Sequence, residues 1–199
     1  MKTLLVLKTS VNGEQSHSNA LLDQAVADAR QRFPELTVIE RDLNAQSVPT
    51  LNSETVAAIR AGVADTEAQK TAIALAETLV AELNQADAVL MGLPRYNFTA
   101  PASFKNYIDY IARPRITFRY GENGVEGLLP NIPVAAVITS GGAYQGTAAD
   151  TMTPWVTQVL GFVGLSQVQF IHAENMAMNA DVGLKQAQTQ LQHWISQLS

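Results

Sequence analysis

Short apolar runs that alternate with helical patterns are the feature that most limits how this chain can fold. Five such runs occur along the sequence: TLLVL (3–7), LTVIERDL (36–43), AVLMGL (88–93), PVAAVITS (133–140) and VQFIH (168–172). The third and fourth are apolar almost throughout, as expected for strands buried on both faces, whereas the second alternates like a half-exposed edge strand. Strands separated by helices predict a parallel sheet with right-handed crossovers and helices on both faces.

Helix signals fill the segments between the runs. Ser18 and Ser53 are candidate N-caps of the first two helices, and Thr66 with Gln69 predicts a capping box for a long third helix. The remaining predicted elements are that third helix over 67–84, helices from Pro101, over 150–163 and over 180–198, and an irregular hairpin over 116–127. Five strands in 199 residues predict a single domain, residues 1–199. We expect the flavodoxin-like α/β architecture, a three-layer sandwich with strand order 2-1-3-4-5.

Composition excludes several classes of protein. The net charge of −5 argues against non-specific nucleic-acid binding and gives no polybasic signal for a membrane surface. No run approaches the roughly 18 apolar residues of a membrane span, and the apolar part of MKTLLVLK is too short for a signal peptide. The chain has no cysteine, and no two of its three histidines have the spacing of metal ligands. We therefore expect a soluble, cytoplasmic protein without a metal.

The loops after the first, third and fourth strands are where a ligand is expected. Ligands of such sheets bind at the carboxyl ends of the strands, near the topological switch point. The first loop lacks both glycine-rich nucleotide motifs but carries Ser10, Ser16 and Ser18 at the mouth of a helix. These hydroxyls suit a phosphate at the helix N-terminus, or they serve only as caps. The backbone of His17 would contribute to the same loop while its side chain faces solvent.

The loop after the third strand places Arg95, Tyr96 and Phe98 where small polar residues are normal. Backbone N–H groups and aromatic faces at a strand tip suit a planar ring that forms hydrogen bonds. The fourth loop, Ser140-Gly141-Gly142, would allow close approach to such a ring and supports positive φ, or it is a simple tight turn. No G-x-S-x-G elbow accompanies the carboxylates, so a nucleophilic triad is not expected, and Asp109 is expected to pair locally.

The segment from Tyr96 to Asp109 reads Y-N-F-x-x-P-x-x-F-K-N-Y-I-D and resembles the signature of the FMN-dependent NADH-azoreductases, quinone-reducing members of the flavodoxin-like fold. The similarity covers nearly the whole chain, including VLKTS…SHSN, RDL, FRYGENGVEGL, ITSGG and LGFVGL. It implies an FMN cofactor that carries the hydride at N5, with no catalytic side chain. The implied cofactor-binding residues are Ser10, Ser16, His17 and Ser18 at the phosphate, Pro94, Arg95, Tyr96, Asn97 and Phe98 around the isoalloxazine ring, and Ser140, Gly141 and Gly142 at its pyrimidine side.

The resemblance further implies a quinone oxidoreductase or azoreductase with a ping-pong cycle, in which NADH or NADPH and then a quinone or azo compound occupy one place in turn. The implied substrate-binding residues are Phe98, Tyr120, Tyr144 and, from the partner subunit of a homodimer, Phe162. Many members carry methionine in place of Arg95, so its positive charge is expected either near the flavin or in solvent. Many also carry an arginine in the loop after the fourth strand, which this chain lacks.

Two other functions are compatible with the same residues. One is a flavodoxin-type electron carrier without a small-molecule substrate, and the other is a flavin-free regulatory protein of the same fold. A carrier typically has a strongly acidic surface, and −5 is a mild charge for 199 residues. Plain core packing is the alternative for Tyr107 and Phe162, which lie at helical spacing among other apolar residues.

Overall fold

The computed structural model describes residues 1–122 and 124–199 and has a central five-stranded sheet with helices on both faces. Along the chain the elements are β1 (Thr3–Lys8), a 3-10 turn (Gly13–Gln15), α1 (His17–Arg32), β2 (Thr37–Asp42), α2 (Ser53–Ala61), α3 (Glu67–Gln85), β3 (Ala88–Pro94), α4 (Ala102–Ile111), β4 (Phe118–Gly121), β5 (Gly124–Gly127), β6 (Val134–Thr139), α5 (Met152–Val163), β7 (Val168–Ala173) and α6 (Met176–Gln197). The order of the sheet is β2-β1-β3-β6-β7, and its strand pairs are all parallel. The predicted order 2-1-3-4-5 is therefore confirmed, because β4 and β5 form a separate two-stranded sheet.

Burial follows the apolar patterns of the five runs. β3 and β6 are buried along their whole length, as predicted for central strands, and β2 is a partly exposed edge strand. One face of the sheet is covered by α1 and α6, with Leu22, Leu191 and Trp194 in the core. The other face packs against α3, α4 and α5, where Phe104 and Tyr107 are buried, so the core interpretation of Tyr107 is confirmed. Among the described residues, no helix combines the length and apolar character that crossing a bilayer requires.

The start of α1 differs from the prediction. Its N-cap is Ser16, whose Oγ accepts a hydrogen bond from the backbone nitrogen of Asn19 at 3.1 Å. Ser16 has the extended backbone that an N-cap requires, with φ −79° and ψ 115°, whereas Ser18 lies inside the first helical turn. The prediction that Ser18 caps this helix is therefore wrong, and Ser18 keeps its hydroxyl for other contacts.

The next two helices also begin with side-chain caps. Asn52, not Ser53, is the N-cap of α2, because its carboxamide oxygen accepts the hydrogen bond from the third helical residue. The predicted capping box of Thr66 and Gln69 before α3 is confirmed in both directions. These caps satisfy backbone N–H groups that have no partner within the helix.

The excursion before the fourth sheet strand is a regular antiparallel hairpin, not the irregular one predicted. Its register runs from the pair Phe118–Gly127 to the pair Gly121–Gly124. The hairpin docks on the end of α5, where a Cβ added at Gly127 would lie 2.1 Å from the backbone nitrogen of Gly164. Phe118 packs on Phe162 of α5 with ring centroids 4.3 Å apart. The two glycines thus allow backbone contact, and the aromatic pair fills the space beside it.

Candidate ligand-binding cleft

A cleft of about 140 Å³ opens at the carboxyl ends of β1, β3 and β6. It is lined by Ser10, Asn12, Ser16, His17, Ser18, Pro94, Arg95, Tyr96, Thr139, Ser140, Gly141 and Met176. The three loops singled out in the sequence therefore meet in one place. Of the predicted cofactor-binding residues, Asn97, Phe98 and Gly142 lie outside this lining. A larger cavity of about 540 Å³ lies around the chain termini, near Asp87 and Pro133, and includes none of the three loops.

Buried hydroxyls form the floor of the cleft beside α1. Ser10, Ser16 and Ser18 are each almost fully buried, and the Oγ atoms of Ser16 and Ser18 are 3.0 Å apart. Because Ser16 serves as the N-cap, the capping interpretation holds for that residue but not for Ser10 or Ser18. The amides of His17 and Ser18 have no partner among the hydrogen bonds of the described chain, as expected for a first helical turn. The His17 side chain is exposed, as predicted.

A hydrogen bond joins the first loop to the aromatic loop after β3. The hydroxyl oxygens of Ser10 and Tyr96 are 3.0 Å apart, so the Tyr96 side chain ends beside the hydroxyl cluster. The backbone of the aromatic loop stays attached to the sheet, because the Arg95 nitrogen donates to the Thr139 carbonyl at 2.8 Å. Neutral donors and one aromatic face thus line the same cleft.

The tip of the aromatic loop is a two-residue turn with a left-handed backbone. Tyr96 and Thr99 exchange backbone hydrogen bonds of 2.9 and 3.1 Å, and between them Asn97 has φ 47° and Phe98 has φ 70°. Positive φ at both central residues is the pattern of a type I′ turn, where Asn is common and Phe is strained. Phe98 is 60 % exposed. Backbone strain of this kind concentrates at functional sites.

The guanidinium of Arg95 turns towards Asp150, although the residue lines the cleft. Its Nη2 lies 2.9 Å from Asp150 Oδ1, and both side chains are nearly fully buried, so the expectation that the charge reaches solvent is wrong. Burial acts to raise the pKa of Asp150, but hydrogen bonds from Thr153 and from Arg95 outweigh it, and the pKa lies below its ordinary value. Asp150 is therefore a carboxylate that neutralises Arg95.

The loop after β6 uses its glycines differently from the prediction. Neither Gly141 nor Gly142 has positive φ, so the conformational reason for glycine is wrong here. A Cβ at either position would meet its neighbours at 3.4 Å or more, which is ordinary contact. The Ser140 Oγ donates to the Gly142 carbonyl at 2.8 Å and holds the turn. The amides of Gly141 and Gly142 have no partner among the hydrogen bonds of the described chain.

Asn12, Thr139 and Met176 line the cleft but were missed. Asn12 and Thr139 stand in segments that the sequence had already marked, next to the predicted residues. Met176 follows β7, and its amide donates to the Ser140 carbonyl at 3.0 Å. The predicted order places β7 beside β6, and that adjacency was the signal that could have identified Met176 as a lining residue.

The last helix, α6, begins at Met176 rather than at the predicted residue 180, because a kink at Asn179 joins two helical segments.

The four predicted substrate-binding aromatics separate into two groups. Phe98 and Tyr144 stand edge to face with centroids 6.1 Å apart beside the cleft. Tyr120 is 76 % exposed on β4, and Phe162 is half-buried on α5, where it packs on Phe118 instead of lining the cleft. Phe162 also lines an apolar groove of about 300 Å³ between α4 and α5, together with Ile108, Ala112, Trp155 and Val159.

Acidic side chains take no part in the lining of the cleft. Asp109 pairs with Lys105 at 2.6 Å on α4, which confirms the predicted local pairing. Lys8, at the end of β1, is held by Asp23 and Glu40 at 2.8 and 3.0 Å. Within residues 1–122 and 124–199, no cluster of three or more His, Asp or Glu side chains is placed to hold a metal ion. The cleft therefore presents hydroxyl and amide donors without a free cation.

Comparison with known proteins places the chain among flavoproteins. A family described as having the flavodoxin-like fold matches residues 2–198. The FMN-dependent NADH:quinone oxidoreductase of Bordetella avium (strain 197N) is 43 % identical over 204 residues, covering 100 % of both chains. The enzyme of the same name from Aeromonas salmonicida (strain A449) is 41 % identical over 195 residues, covering 96 % of this chain and 98 % of its own.

Solved structures resemble the chain over nearly its full length. An azoreductase from Bacillus anthracis str. Sterne superposes with a TM-score of 0.87 at 26 % identity and covers 98 % of this chain and 99 % of its own. An FMN-dependent NADH-azoreductase from Bacillus anthracis str. Ames Ancestor, solved in complex with FMN, has a TM-score of 0.88 at 22 % identity, with 99 % and 98 % covered. At that identity the second likeness supports the fold alone.

Proposed function

The chain belongs to the family of FMN-dependent NADH:quinone oxidoreductases, and we propose that its cleft binds FMN and supports hydride transfer from NADH or NADPH to quinones or azo compounds. The observation that carries this proposal is the convergence of the hydroxyl loop, the aromatic loop and the glycine loop on one cleft. The hydrogen bond between Ser10 and Tyr96 joins the first two loops directly. A phosphate site and a ring site are thereby adjacent.

The residues present fit FMN at its phosphate end. The cleft combines buried hydroxyls with the unpartnered amides of His17 and Ser18 at the start of α1, where the helix dipole favours an anion. No acidic side chain in the lining would repel a phosphate. We propose that Ser10, Ser16 and Ser18 hold the phosphate with neutral donors, without a lysine.

The aromatic and glycine loops fit the ring end. Pro94 and Tyr96 offer flat apolar faces, and the left-handed turn leaves the amides of Asn97 and Phe98 without a partner in the described chain. The amides of Gly141 and Gly142 are likewise unpartnered. We propose that these donors bind the polar edge of the isoalloxazine ring and stabilise negative charge that develops there.

The protein contributes to the reaction mainly by positioning the reactants. FMN supplies the hydride chemistry when it is bound. The side chains of Phe98 and Tyr144 orient a flat donor or acceptor beside the cleft, and their apolar surface reduces access of water. The lining holds no carboxylate, and the side chain of His17, its one histidine, is exposed to solvent, so we propose that protons come from solvent.

We also propose a homodimer in which the groove between α4 and α5 is covered by a second copy. Its lining is largely apolar, and Trp155, Val159 and Phe162 would otherwise leave hydrophobic surface in water. Phe162 and the exposed Tyr120 would then face the substrate space across the interface, as the family resemblance implies. Sedimentation of the holoprotein tests this, and a monomer at micromolar concentration would contradict it.

An electron carrier is the alternative function. The hairpin of β4 and β5 adds a wall of about ten residues that a carrier does not need, and the relatives bear the name of enzymes. The experiment that separates the two starts with a visible spectrum of the purified protein with added FMN. Turnover of NADH and NADPH with benzoquinone follows. A colourless protein that fails to bind FMN would exclude both functions, and a yellow protein without turnover would favour the carrier.

A further inference from the structure

The guanidinium of Arg95 is held by one neighbouring segment, residues 144–151. Nη2 contacts Asp150 Oδ1 at 2.9 Å, Nη1 donates to the Ala149 carbonyl at 3.2 Å, and the guanidinium carbon lies 4.6 Å from the centre of the Tyr144 ring. Only 3 % of the Arg95 side chain and 9 % of the Asp150 side chain are exposed. Arginine suits this place because one planar group can form an ion pair, donate to a carbonyl and stack on an aromatic face.

The same contacts hold the strained turn at the tip of the aromatic loop. Arg95 Nη1 lies 3.5 Å from the Phe98 carbonyl oxygen, and the Thr151 hydroxyl donates to the same oxygen. Phe98 is left-handed at φ 70° and stands edge to face with Tyr144. Arg95 therefore touches both partners of the aromatic pair, through the Phe98 backbone and the Tyr144 ring.

The 144–151 segment has a second, separate anchor. One carboxylate oxygen of Glu174, the residue that follows β7, accepts hydrogen bonds from the Tyr144 and Gln145 amides at 2.6 and 2.8 Å. Arg95 fixes the far end of the segment at Asp150. Loss of the ion pair would thus release the orientation of Tyr144 and Phe98 while Glu174 keeps the segment attached to the sheet.

We propose that the Arg95–Asp150 ion pair positions Phe98 and Tyr144 as one wall for planar aromatic acceptors, and so sets the affinity of the enzyme for acceptors that stack. The inference rests on the proposed function. Arg95 acts here as a positioning residue: its charge is neutralised by Asp150 and its guanidinium is covered. An acceptor that does not stack makes no contact with this wall, so its reduction should depend less on the ion pair than that of a planar aromatic acceptor.

The test compares R95M, D150N and the double variant R95M/D150N as FMN-loaded proteins. For 1,4-naphthoquinone we expect KM to rise about three- to tenfold in each, the range expected for loss of one oriented aromatic contact. We expect the double variant to match the single variants, because residues that act through one contact are not additive. At saturating FMN, turnover with ferricyanide, which does not stack, should fall by a smaller factor than kcat/KM for naphthoquinone in every variant, and that difference separates loss of the aromatic wall from a general effect on the cleft. In R95K the KM for naphthoquinone should lie between the values of wild type and R95M, since lysine keeps the charge but loses the planar stack.

A matched control is available on the edge strand β2. Arg41 on β2 forms a largely buried ion pair with Glu82 on α3, and neither residue lines the cleft, so R41M should lower Tm without changing KM for naphthoquinone. An unchanged naphthoquinone KM in R95M would overturn the proposal. So would a loss of activity with ferricyanide in R95M and D150N as large as the loss with naphthoquinone. A wild-type protein that binds FMN but reduces neither acceptor would instead refute the proposed function.

Discussion

Replacing Phe98 by glycine and by alanine separates backbone strain from the role of the ring. Both substitutions remove the ring of Phe98, a residue that is 60 % exposed, so the buried part of the ring is worth about 1 kcal/mol in either variant. They differ in the backbone. Alanine keeps the cost of the left-handed conformation at φ 70°, roughly 1–2 kcal/mol, and glycine removes it.

Glycine also has an opposing effect. It increases the conformational entropy of the unfolded chain, which lowers the free energy of unfolding by roughly 0.4–1 kcal/mol. The difference predicts that F98G is more stable than F98A by about 0.5–1 kcal/mol and stays within about 1 kcal/mol of wild type. The fully buried Phe104 is the contrast, since F104A should cost about 3–5 kcal/mol.

Urea unfolding of the apoprotein measures these free energies without a contribution from bound FMN. In the holoprotein, F98G and F98A should both show weaker retention of FMN and a higher KM for naphthoquinone, because both lack the ring. N97A should weaken FMN retention as well. An F98A variant as stable as F98G, or more stable, would refute the left-handed turn. Unchanged FMN retention in both F98A and N97A would refute the assignment of this loop to the isoalloxazine ring.

Three further predictions follow from contacts elsewhere. S16A should cost about 1 kcal/mol through loss of the α1 N-cap and should weaken FMN binding, whereas S18A should weaken FMN binding with little change in urea unfolding. G127A should destabilise the fold by about 1–3 kcal/mol, because its Cβ would collide with the backbone at Gly164; an unchanged Tm would contradict the docked hairpin. Burial lowers the pKa of His172, against the opposing charges of Glu174 and Asp150, so the unfolded chain takes up the proton first. Stability should therefore fall below about pH 6.5, and H172Q should reduce that fall when unfolding is compared at about pH 7.5 and about pH 5.5.

Most of the fold could be predicted because its signals are local. Apolar runs with flanking helix patterns identified the five strands of the sheet, and the rule that parallel strands need crossovers restricted their order. The same logic placed the ligand loops at the carboxyl ends of β1, β3 and β6, where the cleft lies. The N-cap of α1 was less predictable, since Ser16 and Ser18 are both serines and only their backbone angles distinguish them.

The details of the site depended on contacts between residues far apart in the chain. Arg95 meets Asp150 and Phe98 meets Tyr144 only because β3 and β6 are neighbours, so sequence could not show that the charge is paired or that the ring is held edge-on. Phe98 adopts positive φ against its own preference, and such strain persists only when surrounding structure imposes it. The sequence by itself determined the strand pattern, the hydroxyl and aromatic loops and the family, because these reside in local residue order. Tertiary structure decided which way each side chain of the cleft turns, because that choice depends on the neighbours that folding brings within hydrogen-bonding distance.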